Sequence, residues 1–197
     1  TTLTPTSYNG FKVGLLYETT IVKGFGVTMG LNYTFAANAT DWMKKVTNQP
    51  AEYPKVRSKG QYHQLEIPID WQYKFEIAQQ TWIVLYTGPT LQCGLSLNEK
   101  WYLNTGKENG ITLTQTEDLY SVDQMKDYAL KRINVTWGLG VGFQYDRYFL
   151  RGGYDFGLIN PYKATQFDVV VGEGHPRTRG RFDQWQIKLG MYFWQSK

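Results

Sequence analysis

The chain has 197 residues, a net charge of +4, a mean hydropathy of -0.45, 16% aromatic residues and 20 glycines. No run of 18 apolar residues occurs, which excludes a transmembrane helix. The basic residues are scattered, which argues against a nucleic-acid partner. The single Cys93 forbids an internal disulfide, and its parity with Leu91 and Leu95 marks it as an apolar surface residue rather than a reactive thiol.

Seven segments alternate apolar with small or polar residues, the period-2 signature of strands. The first covers residues 10–21, with Phe11, Val13, Leu15 and Tyr17 on one face. A short turn at Lys23-Gly24 leads into residues 25–37. There Phe25, Val27, Met29, Leu31, Tyr33 and Phe35 point one way, and Gly26, Thr28, Gly30, Asn32 and Thr34 the other. The third, residues 61–75, turns Leu65, Ile67, Ile69, Trp71, Tyr73 and Phe75 outward, and a short link at 76–80 follows. The fourth, residues 81–97, is the least regular; Ile83, Leu85, Leu91, Cys93, Leu95 and Leu97 are placed outward. The fifth and sixth form the stretch RINVTWGLGVGFQYDRYFLRGGYDFGLINPY and meet at Asp146-Arg147. Ile133, Val135, Trp137, Leu139, Val141, Phe143 and Tyr145 share one parity there. The seventh, residues 183–194, carries Trp185, Ile187, Leu189, Met191 and Phe193 outward.

Alternation this long exceeds a usual soluble sandwich strand. A strand that crosses lipid needs about 9–11 residues, apolar outward and polar inward. Only alternate residues then meet lipid, so the negative mean hydropathy is expected, and 15 Tyr and seven Trp suit two interfacial girdles. The links at 22–24, 76–80 and 146–147 are short; those at 38–60, 98–130 and 161–182 are long and polar. Strict alternation of short and long links is the pattern of short periplasmic turns and long outer loops. Inside the long links, residues 101–103 with 111–113 around Gly106, and residues 167–171, are expected to extend strands above the membrane. The expected fold is all-β, a single domain over 1–197: a transmembrane antiparallel up-and-down barrel.

Bacterial single-chain barrels have an even number of strands. With the short turns periplasmic, the last strand descends and an ascending first strand is missing. The reading adopted places it upstream of Thr1, giving eight strands; the alternative hides it in a link near residues 163–172.

Several segments resemble the outer-membrane β-barrel domain common in Bacteroidetes, the PorT-like family of small barrels of the OmpX/OmpA type. They are LEIPIDWQYKF (65–75), TGPTLQCGLSL (87–97), TWGLGVGFQYDRYFLRGGYDFGLINPY (136–162) and QIKLGMYFW (186–194), with residues 10–35 fitting the preceding strand pair. The resemblance implies an eight-stranded barrel with a signal peptide and one strand upstream of the segment matching residues 10–35. It implies no single activity, although some members serve type IX secretion.

The inward parity holds five bases (Lys12, Lys74, Arg132, Arg151, Lys188) and four acids (Glu18, Glu66, Asp70, Asp155). An eight-stranded barrel is just wide enough for side chains to fill it. Charges there must pair, because a buried unpaired charge costs several kcal/mol. The expectation is a salt-bridged plug, and the alternative a narrow polar pathway. Inward glycines leave room for large neighbours such as Tyr86 and Trp82. The GxGxG of residues 138–142 lies within a strand, not in the strand–turn–helix setting of a phosphate loop.

His63 is placed at the top of the third segment beside Glu66, and His175 in the last outer loop with Arg177, Arg179 and Arg181. Neither has a nucleophile at a catalytic spacing, and no His, Cys or carboxylate cluster has metal spacing, so no catalytic residue, metal or cofactor is assigned. The three arginines are candidates for lipopolysaccharide phosphates. Tyr53, Trp101, Tyr102 and Tyr120 are candidate contact aromatics for a protein partner. The expected role is a non-enzymatic structural or interaction component of the outer membrane, within an envelope complex. A narrow channel and a lipid A-modifying enzyme are the alternatives.

Overall fold

In the computed structural model, residues 7–39, 43–44, 55–104, 111–120, 130–161 and 181–193 are described. They form β1 (Asn9–Val22), β2 (Phe25–Ala39), β3 (Met43–Lys44), β4 (Lys55–Ala78), β5 (Thr81–Asn104), β6 (Ile111–Asp118), β7 (Ile133–Tyr145), β8 (Tyr148–Gly157) and β9 (Gln184–Met191), with no helix among the described residues. Every pairing is antiparallel. The order β1-β2-β4-β5-β7-β8-β9 follows the chain, and β3 and β6 flank β4 and β5.

Cross-strand apolar pairs such as Phe11 with Phe35, Leu15 with Leu31 and Phe143 with Leu150 set the register. A one-residue slip would turn the charged parity into lipid, so the register is strongly specified. The turns are two residues long at Lys23-Gly24, Gln79-Gln80 and Asp146-Arg147. The link expected at 76–80 is shorter because β4 runs to Ala78. Gly24 adopts φ 80°, where a Cβ would be strained; Gln80 and Asp146 also take left-handed backbone, at 60° and 49°. The turns brace one another laterally. Lys74 N donates to Gly24 O (2.7 Å), Asp146 N to Gln80 O (2.8 Å) and Tyr192 N to Arg147 O (2.7 Å).

At the other end the ladder continues beyond the expected spans. β4 and β5 are 24 residues each, and residues 55–60 pair with 99–104 inside the links expected to be long and polar, a longer extension than the one expected at residues 101–103. The reason is mutual support: each strand supplies the partner that keeps the other's backbone hydrogen-bonded along the extension. The hairpin expected inside the second long link is present, with Tyr102 opposite Leu113 and Leu103 opposite Thr112. Residues 167–171 lie outside the described residues.

One face of the sheet is apolar and exposed, the other polar and buried. Trp185, Ile187, Leu189 and Phe193 are each over 80% exposed, whereas Glu66, Thr28 and Thr136 are at most 1% exposed. This inverts the water-soluble arrangement and suits hydrocarbon outside. Leu97 departs from the expected outward parity. A bulge where His63 pairs with Ser96 but Gln64 with Gly94 inserts Leu95, and the extra residue turns Leu97 inward to 4% exposure.

The sheet curls until its ends meet through side chains. Glu18 of β1 reaches Arg151 of β8 and Tyr192 just after β9, and Lys12 of β1 reaches Gln186 of β9 (3.3 Å). No backbone ladder joins β1 to β9 among the described residues. Residues 163–172, the alternative position for an eighth strand, lie outside the described residues, as does everything before residue 7.

Candidate functional site

Nearest the short turns, Glu18 is the hub. Its carboxylate pairs with Lys74, accepts from Arg151 Nη2 (3.1 Å) and accepts from the Tyr192 hydroxyl (2.5 Å). Arg151 Nη2 also donates to Tyr192 Oη (3.0 Å), and Lys74 Nζ to Gln144 Oε1 (2.8 Å). Strand alternation brings these together: residues 18, 74, 144 and 151 lie on the inward parity a few residues from a short turn, and Tyr192, just after β9, is held beside the Asp146-Arg147 turn by its amide.

Higher in the lumen, Glu66 pairs with Lys12 and accepts from Gln64 Nε2 (2.7 Å) and Thr34 Oγ1 (3.1 Å). Asp155 accepts from Gln184 Nε2 (2.7 Å) and Gln186 Nε2 (2.8 and 2.9 Å). Between these groups sit Asp70, Lys188 and Tyr86. Lys188 lies in the field of Asp70 and Asp155 with no direct salt bridge among the described residues, and its Nζ is 5.8 Å from the Tyr86 ring centre. Arg151 Cζ approaches the same ring at 5.8 Å.

The glycines make room for these side chains. A Cβ at Gly140 or Gly153 would run into the Tyr86 hydroxyl, one at Gly138 into the Asp155 carboxylate, and one at Gly142 into the Arg151 stem. The GxGxG of β7 is therefore a row of clearances for lumen side chains.

Arg132 does not belong to this interior. It is exposed at the long-link end, where its Nη1 donates to Leu95 O (2.8 Å) and its Nη2 lies 3.9 Å from Asp118. It precedes the first residue of β7, so strand parity does not govern its direction. Removing it leaves four bases (Lys12, Lys74, Arg151, Lys188) facing four acids (Glu18, Glu66, Asp70, Asp155). Among the described residues this set is matched in formal charge, and opposite charges that meet offset the cost of desolvating them.

Above the charges an apolar cluster lies at the long-link end. Leu97, Tyr120 and Leu130, each 4% exposed, pack together with Tyr8, Tyr62, Leu119 and Phe182 around them. A Cβ at Gly94 would meet the Tyr120 ring. Tyr120 is thus a buried capping residue, not a contact aromatic on the surface. Burial pushes its hydroxyl up to about 12. Burial and the nearby Glu99 likewise raise the hydroxyl of Tyr8.

Trp101 pairs with the buried Ser58 while Tyr102 follows on the opposite face, so the two do not share one contact surface. Arg181 is engaged by Asp183 (Nη2 to Oδ2, 2.8 Å). Burial opposes ionisation of Asp183, but the Gly157 amide and Arg181 outweigh it and hold the carboxyl below its ordinary range. Tyr53, Arg177, Arg179 and His175 lie outside the described residues. His63 faces outward, hydrogen-bonded to the Tyr33 hydroxyl (2.6 Å) and packed on Phe35 (5.0 Å between ring centres). Glu66 faces inward, so strand geometry separates the two.

Charge counting along the sequence missed the amide layer (Gln64, Gln72, Gln92, Gln144, Gln184, Gln186) and Tyr192. Their signal was available: each sits on the inward parity. The cap residues Leu119, Leu130 and Tyr8 had no such signal, because they lie in links.

An antiparallel meander with apolar residues outside and an ion-paired charge network inside defines a membrane β-barrel protein. The domain family described as outer membrane protein beta-barrel domain matches residues 2–163. The chain belongs to that family. No curated protein and no solved structure matches the chain.

Proposed function

We propose that this protein is a filled barrel that crosses the outer membrane with each long strand and serves as a non-enzymatic structural or interaction component of the envelope. Its outer face meets a protein partner in an outer-membrane assembly. The balanced lumen beneath the Leu97–Tyr120–Leu130 cap carries this reading. A lumen filled and capped in this way favours a rigid body over a conduit. The outward His63, bonded to Tyr33 and turned away from Glu66, supports a non-enzymatic role. Within the family, the segments at residues 65–75, 87–97 and 136–162 support a place among the PorT-like barrels of Bacteroidetes, where envelope protein secretion is one role.

The test is extraction of the tagged full-length protein from its native membranes in mild detergent, followed by native mass spectrometry. A stoichiometric heteromeric complex is expected; a monomer in every detergent that preserves other outer-membrane assemblies overturns the reading.

One observation favours a second reading, a narrow wet pathway. Tyr86 Oη, Asn134 Oδ1 and Thr136 Oγ1 are buried with no hydrogen-bond partner among the described residues, and such groups call for water. Planar-bilayer recordings separate the two: the filled body gives no conductance steps above background, and a pathway gives reproducible ones.

A further inference from the structure

Above the lipid-facing part of β4 and β5, the outward rows change character. Leu65, Ile67 and Ile69 on β4, and Leu91, Cys93 and Leu95 on β5, give way to Gln61 and Lys59 opposite Asn98 and Lys100. Lys59 and Lys100 are direct cross-strand partners on the same face, and both are exposed. Like charges placed directly opposite destabilise a sheet. Among the described residues, the remaining neighbours do not relieve the repulsion. Ala39 flanks Lys59 on β2, and Thr116 stands opposite Lys100 on β6. Glu99 takes the alternate face, where it accepts from Tyr8 (3.5 Å), and Asp118 lies beside Arg132. No ion pair within 4.0 Å forms at either lysine among the described residues. Lys59 instead lies over the Tyr102 ring, 5.5 Å from its centre, which holds the ammonium group at the surface.

We infer that the Lys59–Lys100 pair is a binding site for a phosphate carried by an outer-leaflet glycolipid. The phosphate bridges the two ammonium groups, Gln61 and Asn98 offer amides to the sugar beside it, and the acyl chains lie on the Leu65, Ile67, Leu91 and Leu95 surface below. A lipid-borne phosphate is favoured over a soluble one because the pair stands directly above that apolar surface on the same two strands. The inference rests on the proposed orientation, with long links outside. That orientation is checked separately by labelling a cysteine introduced at Lys100 in intact cells.

The test uses the full chain in nanodiscs or detergent, with purified bisphosphorylated lipid A as the probe and native mass spectrometry plus a binding titration as readouts. Lys59→Gln/Lys100→Gln is expected to weaken binding at least tenfold. Lys131→Gln, an exposed lysine at the same end that donates to Asn160 O (3.2 Å), is expected to leave it within twofold. Enzymatically dephosphorylated lipid A is expected to bind as weakly to the wild type as intact lipid A does to the double variant. Equal binding by wild type and double variant, or an equal loss in Lys131→Gln, overturns the site. Binding of inorganic phosphate alone as tightly as lipid A overturns the lipid as its ligand. Heat-dependent gel mobility confirms that each variant is folded, and surface labelling that fails at Lys100 identifies a wrong orientation rather than a wrong site.

Discussion

Tyr192 donates its hydroxyl to Glu18 across the gap between the two ends of the sheet, 2.5 Å apart although 174 residues separate them in the chain. Arg151 and Lys74 converge on the same carboxylate. A single acid therefore ties together β1, β4, β8 and the segment after β9, and two cations depend on it.

Glu18→Gln should leave Lys74 and Arg151 with one compensating charge too few. Stripping a buried cation of its partner costs about 3 kcal/mol or more. Urea unfolding in detergent micelles, followed by tryptophan fluorescence, should show a midpoint lowered accordingly. Adding Lys74→Met should recover part of the loss, since it removes one of the stranded charges. A Glu18→Gln midpoint equal to that of the wild type would remove the hub from the account.

Gly140 and Gly152 are both inside or beside the glycine-rich pair of strands, yet they should respond oppositely. Gly140→Val drives a side chain into Tyr86, and overpacking of this kind costs about 1–3 kcal/mol. Gly152 has nothing within 4 Å of an added Cβ, so Gly152→Ala should shift stability by no more than about 0.5 kcal/mol. Paired urea titrations settle the comparison.

Leu139→Arg places a cation on the lipid face in the middle of β7, and Tyr145→Arg places one beside the short turn. Charge on a barrel's lipid face costs about 2–4 kcal/mol at the bilayer midplane and about 0–1 kcal/mol near an interface. Refolding equilibria in phosphatidylcholine vesicles should therefore separate the two variants clearly. Equal penalties would mean that β7 does not run from one interface through the membrane centre.

Asp183 accepts from the Gly157 amide (2.9 Å) and from Arg181. These bonds lower its folded-state pKa below the unfolded value, so its contribution is complete above the ordinary carboxylate range and is lost as pH falls through the lowered value. Wild type and Asp183→Asn should differ in urea midpoint at neutral pH, and the gap should narrow only below the usual carboxylate range. A gap independent of pH down to that point and beyond would place the effect elsewhere.

Much of this protein was legible as text because a strand's side-chain period is two. Phe25 to Phe35, Leu65 to Phe75 and Ile133 to Tyr145 declare their lipid face residue by residue, and the opposite parity places Lys12, Glu18, Glu66, Asp70, Lys74, Arg151, Asp155 and Lys188 inside. Parity fails where the ladder is irregular or absent. The bulge at Leu95 reversed Leu97, and Arg132, one residue before β7, turned to the rim at the long-link end. Parity also gives a direction and never a partner. That Glu18 serves two cations, that Tyr86 fits against Gly140 and Gly153, and that Tyr120 packs with Leu97 and Leu130 depend on how far the sheet curls, and on contacts between residues distant in the chain. Alternation thus determined which face meets lipid and what class of barrel this is. Only the closure of the tertiary structure decided which charges meet, because no local pattern encodes a distance across the lumen.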